Sequence, residues 1–206
     1  MMRRMKRVRV IGIAGGSCSG KSSVARRVCE LRAGGATLFA LDAYYHDQSG
    51  KTIDEINVDV PGALDADLII RHVASLRAGD AVDQPAYDYT THARAAHTHR
   101  LEPAGVIVVE GLYALYWPEL RDLLDLKVFI AASHDTCIAR RVARDTRERG
   151  RSADEVRVQY QRDVEPMYEL HVHPTRKHAD LTIDGERSPD ELATAIIESL
   201  PDQDQD

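Results

Sequence analysis

The residues Gly15 to Ser22 read GGSCSGKS and fit the spacing G-x-x-x-x-G-K-[ST]. Glycines at these positions let a tight turn aim successive backbone N–H groups at an anion, at the positive end of the helix that follows. The setting agrees, because an apolar run from Val8 to Ile13 leads in and an amphipathic stretch from Lys21 to Leu31 leads out. Gly15, Gly16, Ser17, Cys18, Ser19, Gly20, Lys21, Ser22 and Ser23 are therefore the expected nucleotide-binding residues. Lys21 is expected on the β- and γ-phosphates and Ser22 on Mg²⁺.

Two carboxylates extend this chemistry. VIVVEG ends an apolar run with Glu110, at the carboxyl end of a strand, where open α/β sheets bind ligands and where it can join Ser22 in the metal shell. LFALD ends another run with Asp42. Phosphoryl transfer to an alcohol needs a base or orienting carboxylate within reach of the hydroxyl, and Asp42 is the candidate. No N-K-x-D guanine reader occurs in the chain, which disfavours a GTPase. From Arg140 to Ser152 the segment RRVARDTRERGRS carries six arginines and then breaks at Gly150. Guanidinium groups give planar, bidentate contacts to phosphate, so residues 144–152 read as a lid, with Arg144 and Arg149 in catalytic roles.

These residues need elements to position them. Val8–Ile13, Thr37–Leu41, Val106–Val109, Leu126–Ala131 and Leu181–Ile183 read as buried strands, and Lys21–Leu31, Ala66–Leu76, Asp135–Arg147 and Asp190–Leu200 as helices. Their alternation implies an α/β fold, a five-stranded parallel sheet covered by helices on both faces. Residues 81–102 alternate around a polar turn and read as a β-hairpin arm, and 201–206 as a frayed tail. With 206 residues and no internal repeat or linker, one domain over 1–206 is expected.

Composition limits the partners. There are 27 Lys and Arg against 33 Asp and Glu, a net charge of −6, which gives no general attraction for nucleic acid. Cys18, Cys29 and Cys137 lack metal or disulfide spacing and read as reduced thiols. The basic start MMRRMKR leads into a glycine-broken apolar run too short for a secretion signal, and no run approaches a membrane span. A cytoplasmic location is expected. His97, His99, His171 and His173 form two H-x-H pairs that would share strand faces, but nothing at recognisable spacing completes a tetrahedral zinc site, so no zinc is assigned.

The motifs together resemble the uridine kinases of the phosphoribulokinase and uridine kinase superfamily, from the glycine-rich loop to about Ile183. LDAYY is similar to the segment carrying the family's catalytic Asp, which implies that role for Asp42 and a substrate contact for Tyr45. NVDVPGALD resembles the ribose-binding segment, implying Asp59. PAYDYTTHAR resembles the arm whose aromatic and histidine residues contact the pyrimidine, here Tyr87, Tyr89 and His92. VVEGLYALY resembles the family strand with the Mg²⁺-associated Glu, implying that role for Glu110. IARRVARDTRERGRSADEVRVQY resembles the lid, which implies Arg141 near the ribose, Arg144 and Arg149 near the phosphates, and Arg151 and Gln159 near the base.

The resemblance implies ATP with Mg²⁺ as donor, a pyrimidine nucleoside as acceptor and a homo-oligomer, tetramer or dimer. The chain departs from the family pattern at Val58 and Val60, where an aromatic and a histidine are usual, and at Ile183-Asp184-Gly185-Glu186, where a basic stretch is usual. Another nucleoside, a pentose, a sugar phosphate or a pantothenate-like alcohol therefore stays open as acceptor. So does a non-catalytic nucleotide-binding module, against which the set Lys21, Ser22, Asp42 and Glu110 argues.

Lys21→Ala tests the loop. Because its phosphate contact strengthens as charge moves in the transition state, kcat with any acceptor is expected to fall about a hundredfold or more. Circular dichroism should stay native; unchanged turnover would remove the assignment.

Overall fold

A computed structural model describes residues 8–51 and 55–201. The expected tail therefore lies almost wholly outside the described residues, as does the basic N-terminal segment. Strands β1 (Arg9–Gly15), β2 (Ala36–Ala40), β5 (Val106–Glu110), β6 (Leu126–Ala131) and β7 (Leu181–Asp184) form one parallel sheet in the order β2-β5-β1-β6-β7. Strands β3 (Val82–Asp88) and β4 (Ala93–Leu101) form a separate antiparallel hairpin, the expected arm. The helices are α1 (Lys21–Leu31), α2 (Ala66–Ala78), the short α3 (Pro118–Arg121), α4 (His134–Arg149), α5 (Ala153–Gln159), the one-turn α6 (Glu165–Met167) and α7 (Pro189–Glu198).

The central strands carry apolar side chains on both faces because both faces are covered. On one side Ile11, Ile13, Val106, Val108, Val128 and Ile130 meet Val24, Ala25 and Val28 of α1 and Leu192, Ala193 and Ile196 of α7. On the other, Val10, Ile107, Val109 and Phe129 meet Ile69, Val73 and Leu76 of α2 and Leu120 of α3.

Local chemistry moves several boundaries from their expected places. Leu41 leaves β2 and opens a 3₁₀ turn, Leu41–Tyr44, that carries Asp42. Ser188 caps α7 in a capping box with Glu191, and Pro189 occupies the first turn, so the helix starts and stops earlier than its apolar pattern. Helix α4 runs to Arg149 and ends at Gly150, which is left-handed at φ 64. Arg144 and Arg149 thus stand on helix rather than on an irregular lid, and only residues 150–152 are non-helical before Ser152 caps α5. Residues 160–178 continue as π-helical, α and 3₁₀ turns, a segment without a clear single period in the sequence. It holds His171 and His173, so this H-x-H pair does not share a strand face. His171 packs edge-on against Tyr116, and His173 stacks on Tyr168.

The end of β1 is where fold and site meet. Gly15 has φ +155, and a Cβ there would lie 2.5 Å from the Ile130 carbonyl oxygen and 2.7 Å from Ser19 Oγ. Gly15→Ala should therefore push the loop off β6, with a cost of about 1–3 kcal/mol. The expected outcome is a lowered melting temperature with a disproportionate loss of ATP affinity, measured by thermal shift with and without nucleotide. An unaltered nucleotide-induced shift would show that the close approach is dispensable.

Candidate active site

The loop after β1 is built to receive an anion. Gly20, at φ 105, precedes Lys21, and α1 begins with neither a capping side chain nor an acidic residue in its first turn. Its leading N–H groups consequently lack the usual side-chain acceptor, the state in which a helix N-terminus attracts phosphate. Cys18 is also left-handed, at φ 61, and so lies in a strained conformation for a residue with a side chain. The loop is clamped from outside: Arg140 Nη1 donates to the Ser19 carbonyl at 3.3 Å and the Gly185 carbonyl at 3.0 Å, and Arg141 Nη1 donates to Ser17 Oγ at 2.9 Å.

A cavity of about 800 Å³ opens over this loop. At its floor Ser22 Oγ donates to Glu110 Oε2 at 3.0 Å. Burial pushes the Glu110 carboxyl above its ordinary range, opposed by the Lys21 charge. Two protein oxygens and room for phosphate suit Mg²⁺, which keeps waters and is held by one or two protein groups plus substrate phosphates. Among the described residues no group of three or more His, Cys, Asp or Glu is arranged to hold a metal ion alone. A cation here would therefore depend on phosphate oxygens.

Asp42 lines the same cavity together with Tyr45, Val58, Asp59 and Tyr89. Asp59 is held from two directions: Asn57 Oδ1 accepts from its backbone N–H at 2.9 Å, and the Tyr113 hydroxyl donates to its carbonyl. Burial raises the Asp59 carboxyl, and Arg141 offsets part of that rise. The Tyr45 and Tyr89 hydroxyls are also shifted upward, by burial first and then by the neighbouring Asp42 charge. Arg94 of the arm ties the 3₁₀ turn in place, donating to the carbonyls of Tyr45 at 2.8 Å and Tyr44 at 3.1 Å.

On the remaining wall stand Arg144 and Arg149. Arg144 Nε donates to Asp145 Oδ1 at 2.8 Å, and the Arg149 guanidinium lies 5.3 Å from the centre of the Tyr89 ring. Burial works against the Arg144 charge most strongly, but the bond to Asp145 and the charges of Cys18, Asp145 and Glu148 together outweigh it and the pKa rises. Arg149 thereby connects the end of α4 to the tip of the arm.

Not every expected site residue reaches the cavity wall. Gly15, Gly16 and Ser19 of the loop do not line the cavity, and Gly16 packs toward Tyr168. Tyr87 and His92 stand one layer back, with Tyr87 Oη 3.4 Å from His92 Nδ1 and the Tyr87 ring 5.2 Å from those of Tyr45 and Tyr89. Arg151 and Gln159 bond to each other and also stay off the wall. Sequence reasoning missed Arg140, Asp145 and the role of Gly185. A Cβ on Gly185 would lie 2.4 Å from the Ser19 carbonyl oxygen, so the segment after β7 closes directly on the loop. Glu186 turns away and accepts from Ser133 Oγ at 2.8 Å and Thr136 Oγ1 at 2.9 Å, while Arg187 lines the cavity.

A glycine-rich loop between β1 and an uncapped α1, with a carboxylate on the adjacent strand, defines a P-loop kinase fold. Residues 10–192 match the model of the phosphoribulokinase / uridine kinase family, and the chain belongs to that family. It is 45% identical over 183 residues to the uridine kinase of Staphylococcus haemolyticus, covering 87% of this chain and 88% of that one. With the uridine kinase of Lactococcus lactis subsp. cremoris the identity is 43% over 183 residues, covering 87% and 89%. A putative fructose transport system kinase from Silicibacter sp. shares the fold at TM-score 0.69 and 20% identity, over 89% of this chain and 93% of that one. The chain is an ATP-dependent kinase.

The raised Glu110 carboxyl generates a pH-dependent prediction. A carboxyl whose folded pKa exceeds its ordinary value of 4.5 favours the folded state most below that value, and this contribution is lost as pH rises through the folded pKa. Glu110→Gln removes the buried charge. Without ligands it should melt higher than wild type at pH 7–8, by roughly 2–4 °C for each kcal/mol relieved. The difference should fade as pH falls below 4.5, and kinase activity should be lost. A variant less stable than wild type at pH 8 would contradict this reading.

Proposed function

We propose that the chain transfers the γ-phosphoryl group of ATP to the 5′-hydroxyl of a pyrimidine nucleoside. One observation carries the reading: a single cavity is lined both by the phosphate cradle and by Asp42, Asp59, Tyr45 and Tyr89. An acceptor bound there would share the cavity with a triphosphate on the loop. The uridine kinases at 43–45% identity support the choice of acceptor.

In this scheme Lys21 and the α1 N-terminus hold the β- and γ-phosphates, while Ser22 and Glu110 would hold Mg²⁺. Bound there, Mg²⁺ would supply positive charge against that of the phosphates. The Asp42 carboxylate accepts the proton of the 5′-hydroxyl as that oxygen bonds to the γ-phosphorus. The bond from this phosphorus to the β-phosphate oxygen breaks, leaving ADP and the nucleoside monophosphate. Arg144 and Arg149 offset charge on the group in flight. Asp59 and Arg141 hold the ribose, with Tyr45 and Tyr89 as flat walls and Tyr87, His92, Arg151 and Gln159 in reach of the base once the arm and the α4–α5 turn close. The phenol–imidazole pair Tyr87 and His92 supplies both donor and acceptor atoms, as the polar edge of a pyrimidine requires.

An ADP-release screen over uridine, cytidine, purine nucleosides, pentoses and pantothenate tests the acceptor. Uridine or cytidine should lead by kcat/KM. Efficient use of a pentose with both pyrimidine nucleosides ignored at millimolar concentration would overturn the proposal. On the leading acceptor, Asp42→Asn should lower kcat by about 10²–10⁴ with little change in ATP affinity. Parallel loss of rate and ATP affinity would make Asp42 a structural or metal-bound residue instead.

A further inference from the structure

Asp145 has no part in the chemistry above, yet its side chain is fully buried and faces three guanidinium groups. Arg144 Nε approaches Oδ1 at 2.8 Å, Arg149 Nε approaches the same oxygen at 3.6 Å, and Arg141 Nε approaches Oδ2 at 3.6 Å. These three arginines end in different places. Arg141 reaches Ser17 of the phosphate loop, Arg144 the cavity wall and Arg149 the Tyr89 ring. The Asp145 carbonyl also accepts the backbone N–H groups of Gly150 and Arg151, so the same residue closes the end of α4.

The charge count gives this arrangement its meaning. Three cations a few ångströms apart in a partly dry wall repel one another, and without a buried anion their side chains would spread toward water. A surface ion pair has no such leverage; a carboxylate removed from solvent does. Oδ2 and Arg141 Nε are both buried and make no hydrogen bond, their separation of 3.6 Å being too long for one. The cluster is therefore incompletely bonded in the ligand-free chain, and a phosphate group meeting Arg144 or Arg149 can rearrange it without breaking a saturated network.

We infer that Asp145 is a positioning residue for phosphoryl transfer: its buried carboxylate aligns Arg141, Arg144 and Arg149 toward the phosphate cavity and ties that alignment to Ser17 of the phosphate loop. The inference rests on the kinase reading of the site but not on the identity of the acceptor.

The test is a double-mutant cycle of Asp145→Asn and Arg144→Ala, with Asp145→Glu as the conservative variant. It reads kcat and KM on the best acceptor found, and ATP affinity by nucleotide fluorescence, which needs no acceptor. Asp145→Asn should lower kcat about ten- to a hundredfold while ATP affinity falls less than tenfold, since the arginines matter most to the transferring group. Asp145→Glu should recover at least part of that loss. The pair should be non-additive, the double variant being faster than the product of the two single losses predicts, because part of what Asp145 does runs through Arg144.

Additive losses, or an Asp145→Asn enzyme within twofold of wild-type kcat, would overturn the assignment. If Asp145→Asn is poorly folded, the Glu variant decides: native melting with kcat within tenfold of wild type supports alignment by the carboxylate charge, and native melting with a loss of tenfold or more refutes it. Should wild type bind ATP but phosphorylate none of the acceptors, the functional reading fails first, and the same cycle on ATP affinity then judges the positioning role by whether the two losses add.

Discussion

Charge balance over the phosphate loop is the constraint on which the rest of the structure depends. The chain carries a net charge of −6, yet the cavity is lined by eight Lys and Arg side chains and only four carboxylates. Such a concentration is useful to a triphosphate and costly without one. The fold contains it with acids behind or below the cations: Glu110 under Lys21, Asp59 facing Arg141, and Asp145 inside the α4 arginines. The uncapped start of α1 adds partial positive charge that no acidic side chain in the first turn cancels. The loop thus remains hungry for anions while its surroundings stay folded.

That balance explains how the elements are arranged. The doubly covered sheet brings Glu110 and the glycine-rich loop to the carboxyl ends of neighbouring strands, with Ile13 paired to Glu110 across β1 and β5. Tight backbone contacts at Gly15 and Gly185 leave no slack between loop, β6 and the segment after β7. Arg140 then fixes the loop through backbone carbonyls, which asks nothing of side-chain identity in the loop itself. A cradle held this way does not depend on the ligand for its shape.

Much of this was legible in the sequence because it is local. The G-x-x-x-x-G-K-S spacing, five β-rich runs and four amphipathic stretches all declare themselves within a dozen residues, and the expected Lys21–Leu31 helix and Leu126–Ala131 strand are found at those bounds. Glu110 was readable as the residue that ends a strand and Asp42 as one just past a strand. What was not legible depends on partners far apart in the chain or on mixed helical periods. Residues 160–178 change from π to α to 3₁₀ turns, so no single period marks them or gives His171 and His173 an element. Asp145 carried a weak signal, since it stands four residues after Arg141 and four before Arg149, the spacing of helix ion pairs. Nothing in that spacing says that the carboxylate is buried. Arg140 and Gly185 gave no signal, as their partners are backbone atoms 121 and 45 residues from Arg140.

The two raised carboxyls, Asp59 and Glu110, carry the argument into ligand binding. Each is buried with less positive charge beside it than its ionised form requires, so the ligand-free site stores a penalty. A hydroxyl donating to Asp59, or a divalent cation beside Glu110, supplies what is missing and lowers the penalty. Binding therefore draws on stability withheld from the empty protein, and each ligand should stabilise the fold by more than its contact area suggests. The two groups sit at opposite functions of one cavity, one facing the acceptor side and one the metal side. The Asp42 charge raises both, so the two carboxyls share one like-charged neighbour. Donor and acceptor sites are in this way electrostatically linked through Asp42, the residue placed between them.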